Sequence, residues 1–136
     1  MFSRDNYYNT MIFSVGIYLR LSKEDEYSKQ SESITNQRDF VTSYVLEQGW
    51  NIYDVYIDDG FSGLNFDRPN FKRMVRDIED KKINLVITKD LSRLGRDYID
   101  TGYYLERYFP QKNIRYIALT DGIDTFFQNS NNDMSP

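Results

Sequence analysis

The chain has 136 residues, of which 40% are hydrophobic, and this length suits one compact domain with a single core. It contains neither cysteine nor histidine, so disulfides, thiol catalysis and any Ser-His-Asp triad are excluded. A net charge of −4 argues against a chain that holds nucleic acid by bulk electrostatics, because phosphates repel an acidic surface.

The N-terminal part of the chain predicts a loose segment followed by a buried strand. Residues 1–11 are polar and irregular, as expected of a lead-in with little structure. Residues 11–19 form a near-continuous apolar run, which is typical of a strand buried on both faces of a sheet. The charged residues 23–32 have no period and predict a surface loop directly after that strand.

A helix and a second strand come next. Apolar residues share one helical face over residues 33–48, with Ser33 at the expected N-cap and Gly49 as a C-terminal stop. The members of that face are Ile34, Val41, Tyr44 and Val45. A strand is predicted over residues 51–57, and residues 58–63 have the composition of a turn.

The C-terminal half predicts two more helices and two more strands. Pro69 opens the first of these helices, which has apolar residues at helical spacing, namely Phe71, Met74, Val75 and Ile78. Strands are predicted over residues 83–88 and 114–119. The helix between them is predicted over residues 97–110, with core contacts at Tyr98, Leu105 and Phe109.

This alternation of strands and helices predicts an α/β fold, with a mostly parallel central sheet flanked by helices on both faces. We assign residues 12–127 to this domain, residues 1–11 to the lead-in and residues 128–136 to a polar tail. In such folds ligands bind beyond the carboxyl ends of the strands. Ser22 and the arginines considered next lie in segments that leave those ends, so the sequence predicts that they converge.

The candidate nucleophile is Ser22, at the end of the first strand. A serine is a weak nucleophile unless a base or concentrated positive charge assists the reaction. Because histidine is absent, the candidate cations are arginines, namely Arg20, Arg68, Arg93 and Arg96. The planar guanidinium matches phosphate oxygens, so a serine among arginines indicates phosphoryl transfer rather than acyl transfer.

These residues also have ordinary structural interpretations. A serine after a strand is usually a loop residue, and arginines are usually solvated. Tyr18 could belong to the core, and Gln37 could face water. Asp58-Asp59 and Asp121-Gly122 are typical of turns.

Carboxylates near one sheet edge would also suit magnesium, as in phosphoacceptor receiver domains. The carboxylates in question are Asp58, Asp59, Asp90, Asp121 and Asp124. A receiver domain carries its acidic pair after the first strand, where this chain has Arg20-Leu21-Ser22. That placement argues against a magnesium-dependent receiver.

Four motifs resemble the catalytic domain of serine recombinases of the resolvase and invertase family, and most closely its large transposase or integrase branch. They are Tyr18-Leu19-Arg20-Leu21-Ser22, Ser33-Ile34-Thr35-Asn36-Gln37, Asp59-Gly60-Phe61-Ser62-Gly63 through Asp67-Arg68-Pro69, and Lys89-Asp90-Leu91-Ser92-Arg93-Leu94-Gly95-Arg96-Asp97. With the elements that carry them, the resemblance extends over residues 12–124. One position departs from the small resolvases, which commonly have aspartate where this chain has Ser92. Either another group takes over the role of that aspartate, or the role is dispensable in this branch.

The resemblance implies a mechanism for DNA strand exchange. Ser22 would attack the scissile phosphate to give a 5′-phosphoserine linkage and a free 3′-hydroxyl, with no ATP, metal or other cofactor. The phosphate would be held by Arg20, Arg93 and Arg96, with further contributions from Arg68, Gln37 and Tyr18.

The resemblance also implies partners. These are double-stranded DNA recombination sites and further copies of the protein, as a dimer on one site and a synaptic tetramer in the full-length parent. A long helix and DNA-binding domains would follow residue 136. We expect a cytoplasmic location, which the lack of cysteine also fits, and no membrane partner.

Two other functions remain open from the sequence. One is a non-catalytic anion-binding or oligomerisation module with the same fold. The other is a phosphoserine-forming enzyme that acts on small phosphoesters.

Overall fold

The computed structural model describes residues 11–22 and 33–127. Its strands are β1 (Ser14–Leu21), β2 (Asn51–Asp59), β3 (Leu85–Thr88), β4 (Arg115–Ala118) and β5 (Ile123–Asp124). They form one sheet in the order β2-β1-β3-β4-β5, in which the first four strands are parallel and β5 is antiparallel. The predicted α/β fold with a mostly parallel sheet is confirmed.

The helices are α1 (Ile34–Glu47), α2 (Pro69–Glu79), α3 (Leu91–Leu94), α4 (Tyr98–Tyr103) and α5 (Phe109–Gln111). A π-helical turn, Tyr104–Tyr108, joins α4 to α5, so residues 98–111 form one continuous helix. Pro110 has no N–H for a carbonyl four residues earlier, and its ring would crowd that carbonyl. The wider π turn directly before it provides the necessary room.

The sheet separates two apolar clusters. Under α2 and the helix of residues 98–111 lie the first cluster's largest side chains, Tyr18, Tyr56, Phe71, Phe109 and Tyr116. Under α1 lies a second cluster of mainly aliphatic residues, including Val15, Ile17, Leu19, Val41 and Val45. Helices therefore cover both faces, as predicted.

Three predictions about local structure are corrected. β1 begins later and ends later than residues 11–19, so Arg20 is part of the strand and pairs with Asp58 in the parallel register. β2 likewise continues to Asp59, because its main chain pairs with β1 through the residues predicted as a turn. Tyr98, predicted as a core contact, is 91% exposed because it lies in the first turn of α4, where no described element packs on it.

Two elements were not predicted. The helix α3 has four residues, which is too short to show a periodic pattern. The strand β5 has two residues and pairs with β4 after a turn at Gly122, whose φ of 65° suits glycine. The predicted loop 23–32, the tail 128–136 and all of the lead-in except Met11 lie outside the described residues. No described helix is both long enough and apolar enough to cross a bilayer.

Candidate active site

The carboxyl ends of β1, β2 and β3 lie at one edge of the sheet, because the three strands are parallel. At this edge two side chains reach the same main-chain atom, the carbonyl oxygen of Arg20. Gln37 Nε2 on α1 donates to it over 3.2 Å, and Arg93 Nη1 on α3 donates over 3.3 Å. Ser22 follows two residues later and is 1% exposed. The structure thus brings together residues from three of the four predicted motifs.

Arg20 is fully buried, and its guanidinium links β1 to the helix α3 and to the loop after β2. Its Nε donates to the carbonyl oxygen of Arg93 over 3.2 Å, and its Nη2 donates to that of Ser92. Its Nη1 donates to the carbonyl oxygen of Phe61 over 3.0 Å. Arg20 therefore holds the main chain of α3, which carries Arg93, next to β1 and the loop after β2.

Arg68 is also fully buried, at the residue before α2. Its Nε donates to the carbonyl oxygen of Asn65 over 2.9 Å, and its Nη1 donates to that of Leu94 over 2.7 Å and to the hydroxyl of Tyr18 over 3.2 Å. Its Nη2 has no acceptor among the described residues. A buried N–H without an acceptor is costly, so this atom is suited to receive an oxygen from a ligand.

Aromatic rings surround the Arg68 guanidinium. Its central carbon lies 4.3 Å from the ring centroid of Phe66 and 5.5 Å from that of Phe71. These contacts favour the cation, and no carboxylate among the described residues forms an ion pair with Arg68. The guanidinium is therefore surrounded by aromatic rings rather than by carboxylates of the described residues.

Tyr18 lies beneath this guanidinium and is fully buried. Its hydroxyl donates to Asp58 Oδ2 over 2.9 Å while accepting from Arg68. Burial raises the pKa of Tyr18 well above its ordinary value, and the Arg68 charge opposes that shift. The predicted role in binding phosphate stays a prediction, and the two bonds of the hydroxyl, to Asp58 and from Arg68, also support a role in placing Arg68.

Asp58 is a residue whose importance the sequence analysis missed, since it was considered only as part of a turn or a metal cluster. It is fully buried, and its carboxylate accepts from the main-chain N–H groups of Asn70 and Phe71 at the start of α2. One signal could have revealed it. Tyr56 and Asp58 are two residues apart on β2 and both point inward, as the alternation of a strand requires.

Gly63 allows the loop after β2 to approach the arginines. A Cβ atom at this position would lie 2.7 Å from Arg20 Nη2 and 3.0 Å from Arg96 Cγ. The Gly63 carbonyl oxygen also accepts from the main-chain N–H of Arg96 over 2.6 Å. Arg96 itself is exposed, so the four predicted arginines comprise three buried residues and one at the surface.

A carboxylate does lie beside Arg93, although Ser92 replaces the aspartate common in small resolvases. Asp90 Oδ1 accepts from Ser92 Oγ over 2.6 Å and from the main-chain N–H of Arg93 over 3.2 Å. The same oxygen is 3.7 Å from Arg93 Nε. A carboxylate next to Arg93 therefore comes from Asp90, two residues before Ser92, and whether it takes the role of that aspartate stays a prediction.

Four of the five carboxylates that were considered for magnesium have other contacts, and the fifth, Asp59, is exposed at the end of β2. Asp58 binds the start of α2, Asp90 and Asp121 bind main-chain N–H groups of α3, and Asp124 forms a two-bond ion pair with Arg115. Across residues 11–22 and 33–127 no three acidic side chains are grouped in a way that could hold a metal ion.

Known proteins resemble this chain in sequence and fold. The family model described as the resolvase N-terminal domain matches residues 15–134. The N-terminal catalytic domain of TP901-1 integrase is 32% identical and superposes with a TM-score of 0.74, over 89% of this chain and 95% of that one. A resolvase family site-specific recombinase from Streptococcus pneumoniae is 26% identical with a TM-score of 0.66, over 82% of this chain and 75% of that one.

A shorter relative matches part of the chain. Immunity region protein 3 of Bacillus phage phi105 is 41% identical over 66 residues, which are 48% of this chain and 79% of that protein. The family model covers nearly the whole chain, and the solved relatives share its fold. The chain therefore belongs to the resolvase family of serine recombinases, a family of site-specific recombination enzymes.

Proposed function

We propose that this domain cleaves and rejoins DNA through a covalent intermediate on Ser22. The Ser22 Oγ–phosphorus bond forms as the bond from phosphorus to the 3′-oxygen breaks. The serine proton ends on the departing 3′-hydroxyl, and the 5′-phosphate stays on the protein. Because one phosphoester replaces another, the reverse reaction rejoins strands without ATP.

The observation that carries this proposal is the set of buried guanidinium groups around the end of β1. Arg68 retains an unused N–H and no carboxylate partner among the described residues, and Arg93 reaches the main chain two residues before Ser22. Such fixed donors can stabilise charge that develops on phosphate oxygens in the transition state. Burying these charges costs free energy, and binding an anionic phosphate at this edge would offset that cost.

The proposal gives each of the other predicted site residues a role. Arg68, Arg93 and the exposed Arg96 bind phosphate oxygens, while Arg20 binds phosphate and organises the loops around it. Gln37 holds the main chain before Ser22 in place. Tyr18 acts through Arg68 rather than by touching phosphate.

The proposal assigns the positive charge to arginine rather than to a metal, since the guanidinium fork can serve phosphate oxygens in the same way. Its proposed partners are duplex recombination sites and further copies of the protein. Two similar proteins are named an integrase and a site-specific recombinase, which supports DNA as the substrate. A cytoplasmic location is part of the same proposal and is supported by the lack of cysteine.

Capture of the covalent intermediate tests the proposal. The full-length natural protein is incubated with sheared DNA from its source genome and then denatured. Protein–DNA adducts are recovered, and the residue that carries the DNA is identified by peptide mass spectrometry. We expect the DNA at Ser22, and we expect adducts to form equally well in excess EDTA. Arg93→Ala or Arg96→Ala should slow adduct formation about 10²-fold, as when a donor to a developing oxyanion is lost.

Two variants control this experiment. Ser22→Ala should form no adduct yet retain DNA binding in a mobility-shift assay, because the hydroxyl contributes the bond and little affinity. Ser43→Ala changes an exposed serine on α1 and should behave as wild type. Adducts that persist in Ser22→Ala would refute the proposal, whereas DNA binding without any adduct would favour the non-catalytic anion-binding module.

A further inference from the structure

The turn between β4 and β5, residues 119–122, lies against the main chain that carries Arg93. We propose that Asp121, in this turn, is a positioning residue that holds α3 at the sheet edge and thereby sets the position of Arg93. The inference rests on the proposed function, since it assigns Arg93 to the phosphate.

The helix α3 is too short to hold its own position. Its main-chain bonds to the flanking residues are short-range, from the Arg93 N–H to the Asp90 carbonyl oxygen at 3.2 Å and from the Gly95 N–H to the Leu91 carbonyl oxygen at 3.1 Å. Short helices are marginal because few hydrogen bonds offset the entropy of ordering them. Groups outside α3 must therefore determine where it lies.

The β4–β5 turn provides such groups. Asp121 Oδ2 accepts from the N–H of Leu91, the first residue of α3, over 2.6 Å. Thr120 donates to the Lys89 carbonyl oxygen with its main-chain N–H over 2.8 Å and with its hydroxyl over 3.2 Å. These bonds hold both sides of the junction between β3 and α3.

β4 adds a third support from inside the fold. Thr88 Oγ1 donates to the Asp90 carbonyl oxygen over 2.8 Å and lies 2.6 Å from the hydroxyl of Tyr116. Since the threonine hydroxyl has a single hydrogen, Tyr116 is the donor in the second bond. The segment that leads into α3 is thus held along its length by β4 and the turn after it.

The position of α3 matters for two arginines at once. Arg93 projects from it to the Arg20 carbonyl oxygen, and the carbonyl oxygens of Ser92 and Arg93 accept from the Arg20 guanidinium. A shift of α3 would therefore move the donors offered to phosphate. Asp90 binds α3 from the residue directly before it, whereas Asp121 binds α3 from the β4–β5 turn, 30 residues away in the chain.

The test measures single-turnover cleavage by the full-length protein on a nicked duplex that contains a site recovered by adduct capture. Asp121→Ala should lower the rate at saturating DNA about tenfold, with DNA affinity unchanged, because small misplacement of a catalytic group is costly. Asp121→Asn keeps an acceptor oxygen and should recover most of the rate. Asp39→Ala, which removes an exposed carboxylate on α1, serves as the control for the change in charge.

A double-mutant cycle separates positioning from loss of stability. If Asp121 acts mainly through Arg93, Asp121→Ala should slow cleavage several-fold less in the Arg93→Ala protein than in the wild type, and the remaining loss reflects the displaced Arg20 donors. Unfolding midpoints of all variants are measured in parallel, and the Asn variant should match the wild type. Additive losses in the cycle, or a wild-type rate for Asp121→Ala, would overturn this inference.

The outcome can be separated from the fate of the proposed function. If cleavage requires Ser22 and is insensitive to Asp121, then only the positioning role fails. If the adduct forms on another residue, then the proposed function fails before Asp121 is considered.

Discussion

Arg68 shows how single residues prepare this site for an anion. Its charge lies among aromatic rings, its position is fixed by two carbonyl oxygens, and Tyr18 links it to the buried carboxylate of Asp58. Because Asp58 also accepts from the N–H groups that open α2, the same carboxylate fixes the helix that follows Arg68. Stability and site geometry therefore depend on one buried network.

The tyrosine in this network can be tested by itself. Tyr18→Phe removes a hydroxyl that both donates to Asp58 and accepts from Arg68, so it should destabilise the chain by about 1–2 kcal/mol. Urea unfolding at neutral pH measures the change in free energy. Tyr53→Phe, at a half-exposed position on the same sheet, is the matched control and should change it by less than about 0.5 kcal/mol. Equal effects of the two substitutions would argue against a coupled network.

At the scale of elements, the site depends on how closely the loop after β2 approaches α3. Gly63 lies against the guanidinium of Arg20 and the stem of Arg96, and its carbonyl oxygen binds the main chain of Arg96. A side chain here must displace a group that the proposed mechanism uses. The close approach, rather than a left-handed backbone, is the reason for glycine at this position.

Gly63→Ala should therefore lower the cleavage rate about tenfold or more, since the added Cβ would move Arg20 or Arg96. The rate of adduct formation at saturating DNA is the measurement. Gly102→Ala is the control, because a Cβ there meets nothing within 4 Å and Gly102 is in a helix. It should keep full activity and stabilise the chain by about 0.5–1 kcal/mol. Full activity in Gly63→Ala would mean that the arginines tolerate the shift.

At the scale of the whole molecule, the basic groups of the site are outweighed by a net charge of −4. These residues should then supply little affinity for DNA. We expect residues 1–136 alone to bind duplex DNA with a dissociation constant of roughly 10⁻⁴ M or weaker at physiological salt. Mobility shift and sedimentation measure this directly. Nanomolar, sequence-specific binding by this chain would show that recognition resides in it.

Buried tyrosines make the fold sensitive to alkaline pH. Among the tyrosines of residues 11–22 and 33–127, burial raises the pKa of five, namely Tyr18, Tyr56, Tyr104, Tyr108 and Tyr116. In the unfolded chain these groups lose their protons near pH 10, so the unfolded state releases more protons and the free energy of unfolding falls as pH rises above about 10. In an alkaline pH titration, the phenolate absorbance of these five tyrosines should rise over the same pH range in which circular dichroism shows loss of structure. Ionisation of all twelve tyrosines without loss of structure would contradict the expectation.

The order of the four parallel strands and the main helices, and the choice of candidate site residues, came from the sequence by itself. Apolar periodicity is local, so it located all four parallel strands to within a few residues, and the parallel order placed Ser22 and the arginines at one edge. The four motifs were specific enough to indicate the family. Strand positions and motifs depend on residues that are close together along the chain, and the sequence shows these residues directly.

Only the tertiary structure decided which partners these side chains have. Tyr18 and Asp58 meet because β1 and β2 pair in parallel, and Asp121 reaches Leu91 across 30 residues of chain. Tyr98 is exposed although its sequence pattern suits a core helix, because burial depends on what packs against the helix. Contacts between distant segments leave no periodic signal, since they are determined when the packed layers bring particular atoms within bonding distance.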